Sequence, residues 1–402
     1  MRVSTNLIHD RGIDRIVEQQ SSLLDTQQRL ATGRRMLTPA DDAVAASRAV
    51  VTAQSKAINV EHGANQATAR ESLGLVDATL ASVGDLLQNI RTLIVQAGGG
   101  ALNDADRRSI ADEVSVRFDE LLGLANTRDG AGGYLFAGYA ETIQPFSATA
   151  TGAMYSGDDG QRELQVGTTR TLPVTEPGSV VFERIRTGNG TFATLPAPAN
   201  AGTGVASVGS VVDPMQLTGD TYQIVFRVVG MTTTYDVVDT TTSTTLSAGN
   251  TYTSGAGISF AGMQLAITGA PANSDAFDVG PSPNQSVFAT IKSAIAVLTR
   301  ASSTPADRAR LDQGVATALA NIDQAHERVL TVRTAVGARL READSLGELQ
   351  QALELHYAKR LSELQDLDYA KAASDLVRQQ QALDAARESF QRVTRLSLFD
   401  FL

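Results

Sequence analysis

Two runs of apolar residues, one toward each end of the chain, repeat at alternating steps of four and three. The first is Val76, Leu80, Val83, Leu87, Ile90, Ile94 and Ala97; the second is Leu311, Val315, Ala318, Ile322, Ala325, Val329, Val332 and Val336. A mean step of 3.5 keeps one stripe of a helix turned toward a partner, so each run predicts a long coiled-coil-like helix. The two seams imply helices that pair with each other across a long insertion. Gly98-Gly99-Gly100 ends the first helix, and Asn103 or Asp104 caps a second, with Ile110, Val114, Phe118, Leu121 and Ala125 on its apolar face. That pattern breaks at Asp129-Gly130-Ala131-Gly132-Gly133. Beyond the second seam a further helical run passes through Leu346, Leu349, Leu353, Tyr357, Leu361 and Leu364.

The text between the seams is different. Residues 187–285 hold one basic residue, Arg227, and six acidic ones, Asp213, Asp220, Asp236, Asp239, Asp275 and Asp278. The stretch is rich in Thr, Gly, Val and Ser, which favours strands and turns over helix. Residues 221–239 read as a β-hairpin turning near Gly230, and residues 257–269 as another strand pair or a bulged strand. Residues 146–185 also read as short strands with turns. The predicted fold class is therefore α+β: long paired coiled-coil-like helices formed by the N- and C-terminal parts, with an inserted all-β domain.

The extreme ends carry weaker seams. Ile13, Ile16, Gln20, Leu23, Gln27 and Leu30 alternate steps of three and four, as do Tyr369, Ala372, Leu376, Gln379, Leu383, Ala386, Phe390 and Val393. Glutamine weakens an isolated pair but is tolerated where several helices meet. Leu396, Leu398, Phe399, Phe401 and Leu402 crowd the C-terminal end. Apolar residues left at both ends argue for burial against other subunits.

Composition removes whole classes of function. With 34 basic and 44 acidic residues the chain is acidic, a poor match for nucleic acid or anionic lipid. It has no cysteine, hence no disulfide, thiolate metal site or cysteine nucleophile. No stretch is long and apolar enough for a membrane helix, and residues 1–20 lack the apolar core of a secretory signal. Of the four histidines, His326 begins an H-E-x-x-H pattern with Glu327, but Leu330 stands where the second ligand is needed. Gly202-Thr203-Gly204 begins a dinucleotide fingerprint that fails at Ser207. Asp158-Asp159-Gly160 reads as a turn, and Asp41-Asp42, after Thr38-Pro39, as a helix N-terminus. No catalytic residue, cofactor site or metal site is expected. An enzyme in the insert would need clustered acid, base or nucleophile, and residues 187–285 contain no His, Lys or Cys.

Short motifs at both ends fall in a familiar order. Thr5-Asn6, Gln28-Arg29-Leu30, Thr32-Gly33-Arg34-Arg35 and Pro39-Ala40-Asp41-Asp42 stand near the N-terminus; Arg333-Thr334-Ala335-Val336-Gly337-Ala338 and Asp366-Leu367-Asp368-Tyr369-Ala370 near the C-terminus. This ordered set resembles the bacterial flagellin superfamily. The ending Leu396-Ser397-Leu398-Phe399-Asp400-Phe401-Leu402 differs from filament flagellins and is similar to the hook-associated branch. So are Gly133 to Tyr139 with Pro145-Phe146, the run from Tyr155 to Arg162, and Ile267 to Pro271 leading to Asp275-Ala276-Phe277.

The resemblance implies a structural component of the flagellum that forms a junction ring between hook and filament and self-assembles through its terminal helices after export. Residues 1–42 would be an N-terminal assembly helix pairing with 365–402. Residues 43–185 and 286–364 would form a helical rod with short β segments, and 186–285 the inserted β domain. Implied partners are further copies of the chain, the first hook-associated protein on the hook side, flagellin, a cytosolic export chaperone and the flagellar type III export apparatus. The implied location is extracellular, at the junction, reached without a cleaved signal peptide. The expected assembly interface comprises Asn6, Leu7, Ile13, Ile16, Leu23, Leu30, Tyr369, Leu376, Leu383, Phe390, Val393, Leu396, Leu398, Phe399, Phe401 and Leu402. Flagellin itself, or an adhesin or other binding role for the insert, are the alternatives.

Overall fold

The computed structural model describes residues 5–100, 102–130 and 132–395, with the side chains of 5–8 and 393–395 outside that description. The helices are α1 (Thr5–Thr32), α2 (Ala43–Ala97), α3 (Asp104–Ala125), α4 (Val287–Leu298), α5 (Pro305–Gln365) and α6 (Tyr369–Arg395). Four short strands follow α3: β1 (Phe146–Thr149), β2 (Gly152–Tyr155), β3 (Glu163–Gly167) and β4 (Arg170–Pro173). The insert holds β5 (Ile185–Arg186), β6 (Phe192–Pro196), β7 (Val205–Ala206), β8 (Ser210–Val211), β9 (Tyr222–Val229) and β10 (Thr232–Asp239). It continues through β11 (Thr244–Thr251), β12 (Gly257–Phe260), β13 (Met263–Thr268), β14 (Ala276–Pro281) and β15 (Asn284–Gln285). The chain divides into two compact units, residues 1–64 with 345–402, and residues 65–344. The expected α+β class, with helices from both ends around an all-β insert, is the observed one.

Within residues 65–344, α2 and α5 run antiparallel. Arg70 pairs with Asp344 at 2.7 Å and Arg91 with Asp323 at 2.7 Å, so 21 residues on one helix match 21 on the other. Between them Arg333 Nε donates to Asp77 at 3.1 Å, and Gln88 meets His326 at 3.1 Å. These pairs flank the seam and set its register; exposed ion pairs are worth about 0–1 kcal/mol each. The stabilising work is done by the seam itself, where all fifteen residues of the two predicted runs are buried. Asn103 caps α3, its Oδ1 accepting from the N–H groups of Ala105 and Asp106 at 2.8 and 2.9 Å. Thr304 and Asp307 bond each other's backbone N–H at the start of α5, with Pro305 in the first helical position.

The insert is a two-layer antiparallel arrangement. One sheet has the order β11-β10-β9-β14-β6; the other is β12-β13-β7, with β8 also on β13. Alternate residues of both meet in one core: Tyr222, Ile224 and Phe226 of β9, Phe277 and Val279 of β14, and Met263, Leu265 and Ile267 of β13. Strand alternation is what sends them to the same side. The hairpin predicted near Gly230 turns at Gly230-Met231, with Val229 opposite Thr232. Residues 257–269 form a strand pair around Ala261-Gly262. The insert closes where it began: Thr187 N donates to Pro283 O at 3.1 Å, and β5 pairs with β15. It also rests on α5, where Asn321 Oδ1 accepts from Gly188 N at 2.9 Å and Gln313 Oε1 from Ala206 N at 2.6 Å. Arg310 Nη2 donates to Asn200 O at 2.7 Å. The contact is polar, beside a cleft of about 610 Å³.

One expectation for residues 146–185 is corrected. Ser179–Glu183 is not a strand but a single wide helical turn. Tertiary packing overrides the β-branched residues there: Val181 and Phe182 are buried, and Phe182 stacks edge-on against Phe136 and Phe146 at 5.3 Å each. The aromatic cluster explains two motifs at once. Tyr155 donates its hydroxyl to Phe136 O and Asp158 O, while Asp158 Oδ1 accepts from Tyr139 N at 2.9 Å and Gly160 N at 2.7 Å. A Cβ at Gly160 would collide with the Tyr139 ring. The Gly133–Tyr139 loop and the Tyr155–Arg162 run are thus two halves of one brace. Arginines of α5 fasten it from the other side: Arg328 donates to Val180 O at 2.8 Å, and Arg339 pairs with the buried carboxylate of Glu176.

Two predictions follow from these bonds. Removing Arg339 leaves Glu176, 4% exposed, with Gln161 as its remaining neutral partner in the brace. Arg339→Ala should therefore cost about 3–5 kcal/mol in denaturant unfolding, whereas the exposed Arg341→Ala should stay within about 0.5 kcal/mol. Equal effects would refute the brace. Acid should also destabilise the fold. Asp158 is held below its ordinary 3.8 by the N–H groups of Tyr139 and Gly160, Asp159 by Ser179 and Arg184, and Asp239 by the N–H of Thr242. Asp104 is lowered by Arg107, and Asp307 by the Thr304 hydroxyl. A depressed folded-state value stabilises above the unfolded one and is lost as pH falls through the folded value. Glu183, pushed up by burial, acts in the opposite sense but alone. The denaturation midpoint should hold between about pH 7 and 5 and fall below about pH 4, less steeply in Asp158→Asn.

Candidate assembly interface

The unit made of residues 1–64 and 345–402 brings the two terminal motifs together. Gly33 has φ +67, and a Cβ there would stand 2.6 Å from the Tyr369 hydroxyl. Glycine is required twice, for the left-handed turn and for the tyrosine. Around it Leu367 N donates to Gly33 O at 3.0 Å and Arg35 N to Gln365 O at 2.8 Å, an isolated antiparallel backbone bridge that sets Arg34 opposite Asp366. The Thr32–Arg35 and Asp366–Ala370 motifs are one corner of the fold. Asp41 and Asp42 complete it as expected of a helix N-terminus. Asp42 Oδ1 caps α2 by accepting from Ala45 N at 2.9 Å, and its other oxygen faces Arg35 at 3.4 Å. Asp41 accepts from the N–H groups of Thr38 and Leu37, which hold its carboxyl below the usual range.

From this corner α1 and α6 run back along each other. The His9 and Phe390 rings lie 4.9 Å apart, and Gly12 sits against the face of Phe390. On α6, Ala372 and Leu383 are buried and Leu376, Gln379, Ala386 and Phe390 half-buried, the predicted spacing. On α1 the covered residues are Gly12, Ile16, Gln19, Gln20, Leu23, Thr26 and Leu30. Two expected seam positions turn outward: Ile13 is 45% exposed and Gln27 is exposed. Gly12 admits the Phe390 ring and takes the inward place that spacing assigned to Ile13. Tyr369 covers Gly33 with its hydroxyl yet is largely exposed. The side chains of Asn6, Leu7 and Val393, and residues Leu396, Leu398, Phe399, Phe401 and Leu402, lie outside the described residues.

Sequence spacing found the α5 part of the unit, where Leu346, Leu353, Tyr357, Leu361 and Leu364 are half-buried, and missed the part contributed by α2. The α2 stripe continues back through Ala45, Ala49, Thr52 and Asn59, all buried. Asn59 Nδ2 donates to Gln350 O at 3.0 Å, and Gly63 packs on the Gln350 amide. Among the described residues, both ring nitrogens of His62 are buried without a hydrogen-bond partner, as are the amide oxygens of Gln19 and Gln379. On α5, Ala343 just before the unit and Gly347 within it are buried, while Leu349 turns outward, against expectation. Leu346, Leu353, Leu361 and Leu364 of α5 are half-buried, while the facing stripe of α2 is made of small and amide side chains. Other large apolar residues of the unit face outward: Val17 (57% exposed), Leu24 (64%), Val50 (68%), Val51 (61%) and Leu355 (73%), with Val44, Ile58, Val60 and Val377.

The profile described as the bacterial flagellin N-terminal helical region matches residues 3–141. The flagellar hook-associated protein 3 of Escherichia coli K12 is 27% identical over 406 residues, 99% of each chain. Among solved structures, hook-associated protein 3 of Legionella pneumophila has a TM-score of 0.75 at 29% identity, covering 78% of this chain and 98% of that one. FlgL of Xanthomonas campestris has a TM-score of 0.71 at 32% identity, covering 77% and 99%. With similarity running the full length of such relatives, and the terminal motifs meeting in one corner, this chain belongs to the flagellar hook-associated protein 3 family of the bacterial flagellin superfamily.

Proposed function

We propose that the chain is a structural subunit of the hook–filament junction, assembling with copies of itself through its terminal unit. The observation that carries this is the set of large apolar side chains the terminal unit leaves exposed, Val17, Leu24, Val50, Val51 and Leu355 among them. Exposed large apolar side chains in this number on one unit mark an interaction surface. Buried against neighbours, each such side chain is worth about 1.5–3 kcal/mol. The proposed functional division is residues 1–42 and 365–402 for assembly, 43–185 and 286–364 as rod, and 186–285 as an outward module. The hook-side neighbour is the first hook-associated protein and the filament-side neighbour flagellin; a cytosolic chaperone and the flagellar type III apparatus deliver the chain without a cleaved signal. The assembly surface consists of the outward residues of α1, α2, α5 and α6 together with the C-terminal Leu396 to Leu402.

The inward and outward faces give opposite expectations. Leu383 is 5% exposed within the chain, so Leu383→Asp should lower the purified monomer's stability by several kcal/mol, because a carboxylate is driven into an apolar seam. Leu24→Asp and Val51→Asp, on exposed positions, should leave the monomer's melting within about 0.5 kcal/mol and abolish its incorporation on purified hooks, scored by electron microscopy. Normal incorporation of both outward variants would sink the interface reading. Cells lacking the chain should show bare hooks and release filament monomer into the medium; missing filaments with no released monomer would favour a flagellin instead.

A further inference from the structure

We infer that Asn189 is a site of spontaneous, folding-gated deamidation at the neck of the insert. Of the chain's twelve asparagines it alone precedes a glycine, Gly190. A glycine's backbone nitrogen is the least hindered attacker of a preceding carboxamide. In an open chain the Gly190 nitrogen bonds to Asn189 Cγ and the Cγ–Nδ2 bond breaks. Ammonia leaves with the proton that Gly190 gave up, closing a five-membered succinimide. Water then adds to one of the two ring carbonyls. Opening gives aspartate at this position by one route and isoaspartate by the other.

The native turn closes that path with four bonds. Gly190 N donates to Thr187 O at 3.1 Å, so the proton that must depart is engaged. Asn189 Oδ1 accepts from Thr191 N at 3.0 Å and Phe192 N at 2.9 Å, and Nδ2 donates to Gly209 O at 3.3 Å. The carboxamide cannot swing onto the Gly190 nitrogen until these let go. The location gives the change a consequence. Gly188, one residue earlier, makes the contact to Asn321 of α5, and Thr187 pairs with Pro283 at the closure of the insert. Aspartate keeps the oxygen that accepts from Thr191 and Phe192 but sets a second oxygen against Gly209 O. Isoaspartate adds a methylene to the main chain and shifts the register of the neck. Deamidation before folding therefore marks a chain whose insert docks poorly, and folding protects the site afterwards.

The test is tryptic mass mapping of the peptide from Thr187 to Arg227 after matched incubation of the full chain at mildly alkaline pH, in buffer and in guanidinium. If modification passes only through the opened turn, the native rate is the denatured rate multiplied by the open fraction, and the gain of about one mass unit should be at least about tenfold slower in buffer. Gly190→Ala, compared in guanidinium where folding plays no part, should slow it strongly. Chains aged in guanidinium and refolded should show faster backbone hydrogen exchange at Gly188 and Ala206 than fresh ones. Equal rates in buffer and guanidinium, or no difference between Gly190→Ala and the parent when denatured, would overturn the proposal.

Discussion

The antiparallel pairing of α2 with α5 is the constraint from which the rest of the large unit follows. Its residues are far apart in sequence, so every apolar contact in the seam requires the chain between to come back on itself. That is why β5 and β15 pair at the neck, and why the insert is bounded by Thr187 and Pro283. The same helix then serves as a scaffold. Arg328, Arg333 and Arg339 leave the α5 seam in three directions, to Val180 O, Asp77 and Glu176. Arginine suits this because its planar fork reaches backbone and carboxylate acceptors beyond the helix surface without breaking the seam. The loop between β4 and β5 is folded against a helix more than a hundred residues later because of two of these side chains.

What could be read in advance was whatever repeats. The heptads at 76–97 and 311–336 are buried without exception, because Val, Leu and Ile at a fixed period have one stable arrangement. Caps at Asn103 and Asp42, and the turn at Gly230, depend on local chemistry and were equally visible. The failures share a different cause. Ser179–Glu183 is helical because an aromatic cluster assembled from four distant segments needs Phe182 inside it. Ile13 faces outward because a ring 377 residues later sits on Gly12. The seat of the insert on α5 is made by Asn321 and Gln313 meeting backbone N–H groups. Single amides of that kind leave no period to find.

The terminal unit was legible only in part, since the α1, α5 and α6 runs were found and the α2 contribution was not. The reason is physical. A seam of Ala45, Ala49, Thr52, Asn59 and Gly63 has no hydrophobic signal although it is packed, whereas the valines that carry signal lie on the other side of the helix.

That contrast is written within single helices. From Leu73 to Ala97 α2 buries Leu, Val and Ile; from Ala45 to Asn59 it buries alanine, a hydroxyl and an amide. Each leucine replaced by alanine at a seam position gives up about 2–5 kcal/mol of core packing. A hydrogen-bonded amide such as that of Asn59 recovers only about 1 kcal/mol net, and the unpartnered ring nitrogens of His62 and amide oxygens of Gln19 and Gln379 recover nothing. The α2 side of the terminal unit therefore contributes little stability from its interior face. The apolar area that would supply the remainder is present in the chain, but at Val17, Leu24, Val50, Val51 and Leu355 it faces water. A partner that covers these residues contributes to binding and to folding of the unit in the same step, because the burial of that apolar area is gained only in the assembly.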